Sequence, residues 1–470
     1  MHDGIFYIAL IGYWLFFYRH LLSKPFLLAY GEGLDCDFPT QRLCGEYWRK
    51  GQIPKDPYYY GNLIGARMGI LYPVNVLFSL VGSFLKIDHA WVLHTYNILL
   101  HGLATSILAY HMFGCGLIGL FGGLLWGYMG YHIKQNLWYV QTFTWITAVM
   151  CFLETGHFAY AGISIGMLIL AGTPPLWIYF CILLIPYLLI NHIYSPHLLW
   201  GVVIGFPQIL AYTLYRKVAV KDGDKSRGHL KPWIFLKTFL PLRIRDHLCG
   251  VGFEETAFYM TPLVLLAFTI HHWLWVMVMI TFILSSGIAV KWHFRFPQRW
   301  GYFVCLGIAW ITVDAVEQMA LSNNQLILLT ILLGYMLLYN RSLLPIWPFV
   351  QWIKKPSQYF ETPVLKYLES KMKETDGIYK VNNLPYPVYS GQINHIHGLG
   401  YYGGNRREDL SKIRNIPAEG ACGNNWFEFR FDCRELDRFG IKYHIGEKPR
   451  KQKWKQVEGF DNLWENTNLI

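Results

Sequence analysis

Two closely spaced carboxylates stand out among the residues that could perform chemistry. Asp35 and Asp37 lie in a polar segment after the first apolar stretch of the chain, with the aromatic residues Phe38, Tyr47 and Trp48 nearby. A carboxylate at the edge of a bilayer can accept a proton from a hydroxyl group or hold a divalent cation against a phosphate. Composition alone favours a plainer interpretation, a solvated turn with acidic residues.

Two arginines could bind an anion. Arg295 and Arg299 are four residues apart, so on a helix they would share one face. Pro297 lies between them and favours a helix start or a kink instead. Guanidinium groups at a membrane edge can hold a lipid phosphate in a fork, or they can extend towards the headgroups as ordinary anchors. The sequence leaves both interpretations open.

Further acidic residues occur where apolar stretches begin or end. Glu254 and Glu255 precede an apolar stretch. Asp314 and Glu317 are three residues apart and would share one helical face. Carboxylates inside a membrane span are usually functional or paired, but the polar turn at 322–324 favours a position at the helix end.

Cysteine and histidine spacing indicates no metal site. The nine cysteines form no CxxC pair. His94, His101 and His111 share no ligand spacing with a fourth residue, and we expect them to be core or interfacial residues. The cofactor is therefore unknown: a divalent cation is compatible with the carboxylates, but no ligand spacing points to one.

The composition indicates an integral membrane protein. Of the 470 residues, 53% are hydrophobic, 17% aromatic and only 15% charged, whereas a soluble domain carries about 25% charged residues. A net charge of +11 would suggest nucleic acid as the partner of a soluble protein. In a membrane protein it favours anionic lipid headgroups and anionic substrates, and we expect no nucleic-acid partner.

Apolar stretches broken by Gly, Pro and charged residues predict a polytopic bundle of transmembrane helices. Several stretches are shorter than the roughly 20 residues of a full crossing, so we expect about ten to twelve helices. The first stretch lacks a preceding Lys or Arg and a small-residue cleavage site, so we interpret it as a retained helix. The predicted helices cover residues 5–29, 70–86, 90–112, 114–132, 137–155, 158–171, 174–191, 197–215, 256–270, 272–290, 300–320 and 325–343.

Polar segments divide the chain into two predicted domains. A transmembrane domain at 1–350 contains a first polar loop at 30–68 and a basic loop at 216–250. Residues 351–470 are rich in charges, glycines and short strand-like pieces, and we predict a small soluble α+β domain there. The positive-inside rule would place the basic loop in the cytoplasm, but its amphipathic stretch at 231–247 could lie flat on either face.

Two pairs of cysteines stand close together in these polar segments. They are Cys36 with Cys44 and Cys422 with Cys433. In an oxidising compartment each pair could form a disulfide, and free thiols are the equal alternative.

The order of several short motifs resembles that of the bacterial YfhO-like membrane proteins of the GT-C glycosyltransferase superfamily. In the first polar loop the matching positions are an Asp, a Gln four residues later and a Gly, followed by Gly-rich and Tyr/Pro-rich segments. The matching residues there are Asp37, Gln41, Gly51, Gly61, Gly65, Tyr72, Pro73 and Asn75. Further matches are His101–Ala104, Trp145, Leu170–Pro174, Phe258–Leu263, Phe294–Arg299, Gly440–Tyr443 and Trp464–Asn466.

The resemblance implies a transferase that uses a sugar linked to polyprenyl phosphate. It implies a bacterial inner-membrane protein whose first loop and C-terminal domain are extracytoplasmic. In GT-C enzymes an acidic residue of the first external loop is the catalytic base, which here corresponds to Asp37, with Asp35 as second choice. Gln41 would bind the sugar or orient the carboxylate. Glu254 and Glu255 stand where a matched segment begins, so the resemblance makes them secondary candidates for substrate binding.

A non-catalytic membrane subunit in a larger complex is the main alternative. The C-terminal region is shorter than in typical members of the family, and Thr173 stands where the family has a His. A transporter is the third class, but it would require inverted repeats that the sequence lacks.

Overall fold

The chain is described here from a computed structural model. The structure describes residues 3–23, 37–54, 69–129, 137–171, 174–220, 260–285, 297–343, 355–375, 380–382, 406–407, 441–445 and 454–467. These residues are mainly helical, with a small sheet near the C-terminus, which confirms the predicted class at that level.

The described part of the chain contains α-helices and 3-10 helices. Three 3-10 helices, at Pro196–Leu199, Pro262–Thr269 and Pro297–Trp300, lie among them. The α-helices are α1 Asp3–Phe17, α2 Arg19–Ser23, α3 Phe38–Arg49, α4 Pro73–Phe84, α5 Ile87–Met112, α6 Gly116–Gly127, α7 Leu137–Glu154, α8 Phe158–Ala171, α9 Pro174–Ile190, α10 Trp200–Val218, α11 Leu274–Ser285, α12 Gly301–Gln318, α13 Asn323–Leu343, α14 Ser357–Phe360 and α15 Pro363–Glu374.

Within the described ranges, most of the predicted helices correspond to observed ones with small shifts at their ends. The helix predicted at 5–29 is instead two helices, α1 and α2, and its residues 24–29 lie outside the described residues. The segment predicted as a polar loop at 30–68 contains α3. Pro297 begins a 3-10 turn that leads into α12, so the helix start is the correct interpretation of that segment. The segment predicted as a helix at 256–270 is a 3-10 helix in its described part. Extended backbone at Thr261 and Ile270 limits this helix to eight residues.

Among the described residues, one helix is long and apolar enough to cross a membrane by length and composition. It is α5, with 26 residues and a mean hydropathy of 1.2 in its best window. Shorter apolar helices surround it in sequence, among them α1, α4, α6, α8 and α11.

The described residues fall into two compact units. The first unit lies within residues 1–24, 96–207 and 224–348, and the second within 25–95, 208–223 and 349–470. The unit boundary therefore falls inside α5, before Tyr96. The predicted domain boundary at residue 350 stays a prediction.

Polar side chains pair inside the first unit while aliphatic side chains face outward. Thr105 of α5 and Thr144 of α7 are buried and share a hydrogen bond of 2.9 Å between their hydroxyl oxygens. Trp126 donates from Nε1 to the hydroxyl of Thr147 at 2.8 Å. In contrast, Leu328 and Ile331 of α13 are 65% and 63% exposed.

Glycines allow α8 and α10 to pack closely in the first unit. Gly162 and Gly166 are four residues apart on α8, and Gly201 and Gly205 repeat that spacing on α10. A Cβ atom on Gly166 would lie 2.5 Å from Cβ of Ile204, which is too close for real atoms. Pairs of small residues at this spacing are typical of contacts between membrane helices.

The sheet near the C-terminus packs against α15 in the second unit. Its strand order is β2 (Lys380–Asn382), β4 (Ile441–Ile445), β6 (Leu463–Asn466) and β5 (Trp454–Gln456). The first pair is parallel and the other two are antiparallel. A further short pair joins β1 (Ala219–Val220) to β3 (Arg406–Arg407). The core of the four-stranded sheet and α15 contains Leu365, Leu368, Met372, Tyr443, Ile445, Val457 and Leu463.

We predict that Gly166→Leu destabilises the protein, because the added side chain must push α8 and α10 apart. Overpacking of this kind costs about 1–3 kcal/mol, and it should lower the midpoint of thermal unfolding in detergent. Gly12→Leu on α1 is the control, since a Cβ at Gly12 meets no atom within 4 Å. Equal midpoints for the two variants would contradict the close packing.

Candidate functional site

The predicted base Asp37 lies at the start of α3 in the second unit. Its backbone is helical, with φ −66° and ψ −55°, and Pro39 occupies the first turn of the helix. The side chain of Asp37 is only 2% exposed. The positive end of the helix dipole lowers the free-energy cost of a charged carboxylate at this position.

Close packing against α4 fixes the position of α3. A Cβ atom at Gly45 would lie 2.0 Å from the carbonyl oxygen of Ser79, so only glycine allows this approach. Leu43 and Cys44 are buried on the same helix. Because Cys36 lies outside the described residues, its predicted pairing with Cys44 stays open.

Arg42 ties α3 to the C-terminal end of α4. Its Nη1 donates to the carbonyl oxygens of Gly82 at 3.0 Å and Leu85 at 2.9 Å. A cation at this end of a helix satisfies the last carbonyl groups and opposes the negative end of the dipole. Burial lowers the pKa of Arg42, and the nearby carboxylate of Glu46 acts in the opposite direction. Arg42 therefore holds α4 in place rather than facing a ligand in water.

Gln41 lies one helical turn after Asp37 and is hydrogen-bonded to a histidine. Its Oε1 lies 2.8 Å from Nδ1 of His94, which projects from α5. Since a separation of four residues places two side chains on one face of a helix, Asp37 and Gln41 share a face of α3. The predicted role of Gln41 in sugar binding stays a prediction, and its observed partner is an imidazole.

Aromatic rings surround this histidine. The ring of Trp91, one turn earlier on α5, lies 5.1 Å from the ring of His94, measured between centroids. Phe38 lies 6.0 Å from His94 and 5.1 Å from Trp91 in an edge-on arrangement. Edge-to-face contacts at such distances are favourable. The residue that follows Asp37 is thus packed between α3 and α5.

The C-terminal region also contacts this part of the second unit. Ser357, at the start of α14, donates to the carboxylate of Asp88 from both its backbone nitrogen and its hydroxyl, each at 2.9 Å. Phe360 is buried against the cluster that contains Phe38, with 6.0 Å between the two ring centroids. These contacts attach the start of the C-terminal region to the first turn of α5 and to α3.

The remaining predicted site residues are placed elsewhere or are not described. Asp35, Glu254, Glu255 and Arg295 lie outside the described residues. Arg299 belongs to the first unit, where it is 8% exposed and its guanidinium carbon lies 5.2 Å from the centre of the Tyr139 ring. Binding of a phosphate by Arg299 therefore stays a prediction.

Other polar residues of the first unit have defined local partners. Asp314 lies near the end of α12, and its Oδ2 is 2.9 Å from Nε2 of His272. Glu154 accepts a hydrogen bond from the hydroxyl of Tyr187. Asp314 is thus paired near the end of its helix, the position that the polar turn at 322–324 favours.

Within the described ranges, no group of three or more His, Cys, Asp or Glu side chains is arranged to hold a metal ion. The identity of any cofactor therefore stays unknown.

Sequence reasoning did not assign His94, Asp88 or Ser357 to the site. The spacing of Trp91 and His94 on one face of α5 was an available signal, because two polar-tipped rings one turn apart are unusual within an apolar helix. The partners Gln41 and Ser357 are distant in sequence, and no local pattern connects them.

No protein-family model matches the sequence, and no curated protein matches it. The resemblance to the YfhO-like proteins therefore depends only on the ordered motifs quoted above.

Proposed function

We propose that this protein is a membrane glycosyltransferase that moves a sugar from polyprenyl phosphate to a hydroxyl group of a cell-envelope acceptor. The observation that carries the proposal is the position of Asp37 at the start of α3, on the same face of the helix as Gln41, which is hydrogen-bonded to His94. It is the position at which the resemblance implies a catalytic base. The aromatic rings and the Gln41–His94 pair beside α3 supply further groups suited to a sugar.

A polytopic membrane body forms part of the proposal. Its support is the outward-facing aliphatic surface, the glycine contact between α8 and α10, and the polar pairs inside the first unit. Helices shorter than 18 residues would cross a thinned or partly polar part of the bilayer, or would lie within the bundle. We place the protein in the bacterial inner membrane, with α3 and the C-terminal region on the outer side.

The reaction would proceed by direct displacement. Asp37 would accept the proton of the acceptor hydroxyl, the hydroxyl oxygen would bond to the anomeric carbon, and polyprenyl phosphate would leave with the electron pair of the broken bond. The sugar would then be transferred with inversion. Arg299 and Arg295 are our candidates for binding the phosphate of the leaving group. Glu254 and Glu255 are secondary candidates for contacts with the substrate.

A non-catalytic subunit of a larger membrane complex is the second candidate. The observation that favours it is the 2% exposure of Asp37, because a base must be reached by its acceptor. This candidate predicts tight co-purification with other membrane proteins and no binding of polyprenyl phosphate. Catalysis requires instead that the surroundings of α3 open to admit substrate.

We predict that Asp37→Asn lowers sugar transfer at least about 100-fold, because the amide cannot accept the proton. The assay uses purified protein in detergent with radiolabelled polyprenyl-phosphate sugars and an extract of envelope acceptors. Glu46→Gln is the control, since Glu46 is an acidic residue of the same helix that is partly exposed. Unchanged transfer by a folded Asp37→Asn variant would rule out the base assignment.

We also predict that the end of α3 and the end of α15 face the same side of the membrane. The contacts of Asp88 with Ser357 and of Phe38 with Phe360 support this expectation. In a background without native cysteines, Lys50→Cys and Lys373→Cys should both react with a membrane-impermeant maleimide added to intact cells. Reaction at only one position would show that the two helix ends face opposite sides of the membrane. Reaction at neither position would show that both ends face the cytoplasm, opposite to the proposed orientation.

A further inference from the structure

The hydrogen bond between Gln41 and His94 fixes which ring nitrogen carries the proton. The amide oxygen Oε1 of Gln41 can only accept a hydrogen bond, so Nδ1 of His94, at 2.8 Å, must donate. In the neutral imidazole, the other nitrogen then keeps its lone pair. Nε2 of His94 is therefore a hydrogen-bond acceptor.

That acceptor is buried, and the described part of the chain offers it no partner. His94 is 2% exposed, and Nε2 has no hydrogen-bond partner among the residues that the structure describes. A buried polar atom without a partner is unfavourable, and a buried imidazolium cation without a counter-ion would be more so. A polar group inside an apolar helix is usually retained for function.

The surroundings of Nε2 indicate the kind of ligand. The rings of Trp91 and Phe38 lie 5.1 Å and 6.0 Å from the imidazole. Aromatic rings favour the C–H faces of a sugar, while the lone pair of an imidazole nitrogen beside them favours a hydroxyl donor. Asp37, on the same face of α3 as Gln41, would meet the acceptor at the same site.

We propose that Nε2 of His94 accepts a hydrogen bond from a hydroxyl of the sugar on the lipid-linked donor, with Gln41 holding the imidazole in the required tautomer. This inference rests on the proposed function, because it assigns a ligand group within the same site. It makes His94 a sugar-binding residue and Gln41 a positioning residue. Neither the charge of the phosphate nor the lipid tail is recognised by His94.

Two substitutions of His94 test the roles of its two ring nitrogens one at a time. His94→Asn keeps an amide near the position of Nδ1 and can still bond to Gln41, but it removes the acceptor at Nε2. His94→Gln places an amide oxygen near the position of Nε2 and gives up the bond to Gln41. The first variant tests sugar recognition, and the second tests whether an acceptor alone restores part of it.

The test measures binding of two probes to the full-length protein in detergent. One probe is undecaprenyl phosphate, and the other is undecaprenyl phosphate carrying glucose or N-acetylglucosamine, whichever the unmodified protein binds more tightly. His94→Asn should weaken binding of the sugar-bearing probe about tenfold, equivalent to about 1.4 kcal/mol. Binding of bare undecaprenyl phosphate should stay within twofold, and His94→Gln should recover part of the loss.

Several outcomes would overturn the inference. Equal loss of both probes in His94→Asn would show a structural role only, and no loss of either would show that Nε2 meets only water. Equal affinity of the unmodified protein for both probes would exclude sugar recognition. If the unmodified protein bound neither probe, the proposed function would fail and this inference with it.

A measurement on the unmodified protein covers the case in which His94→Asn does not fold. With ¹⁵N-labelled histidine, the Nε2 resonance of His94, assigned from the His94→Gln spectrum, should be that of an unprotonated nitrogen. It should shift when the sugar-bearing probe is added and stay in place when bare undecaprenyl phosphate is added. A protonated Nε2, or an Nε2 resonance that does not shift when the sugar-bearing probe is added, would overturn the proposal.

Discussion

The close approach of α3 to α4 is the contact on which the rest of the candidate site depends. At Gly45 the helix lies so near the backbone of Ser79 that even a methyl group would collide with it. Arg42 then satisfies two carbonyl groups at the end of α4, one of which belongs to Leu85 just beyond the helix. Together these contacts hold the middle of α3 against α4, and Asp37 lies at the start of this held helix.

Because α3 is held in place, its side chains contact particular residues of α5. Phe38 packs between Trp91 and Phe360, and Gln41 reaches His94. The carboxylate, the amide and the imidazole are thereby held in a mostly apolar setting, in which each hydrogen bond is stronger than in water and each missing one is more costly. The same cluster includes Phe360 of the C-terminal region, so the folded state of that region and the geometry around Asp37 are linked through one buried ring.

The helices could be predicted from sequence because their signals are local. Apolar stretches bounded by Pro and Gly gave α4, α8 and α12 within a few residues, and Pro297 marked a helix start. Asp37 became a candidate through its spacing with Asp35, and the resemblance of the first polar loop to a family selected it as the base and added Gln41. The partner of Gln41 was not found, because His94 is 53 residues away and no periodicity connects them. The pairing of Asp88 with Ser357, separated by 269 residues, is likewise a product of tertiary packing that no local pattern contains.

Photocrosslinking with a lipid-linked sugar tests the central claim most directly. The probe is undecaprenyl phosphate carrying a sugar with a photoreactive group, and the labelled peptides are mapped by mass spectrometry. The proposed function predicts labelling of α3 and of the first turns of α5, around Asp37 and His94, that is displaced by an excess of the same lipid without the photoreactive group. Labelling that avoids both helices, or that an excess of the unmodified lipid does not displace, would contradict a glycosyltransferase site at Asp37.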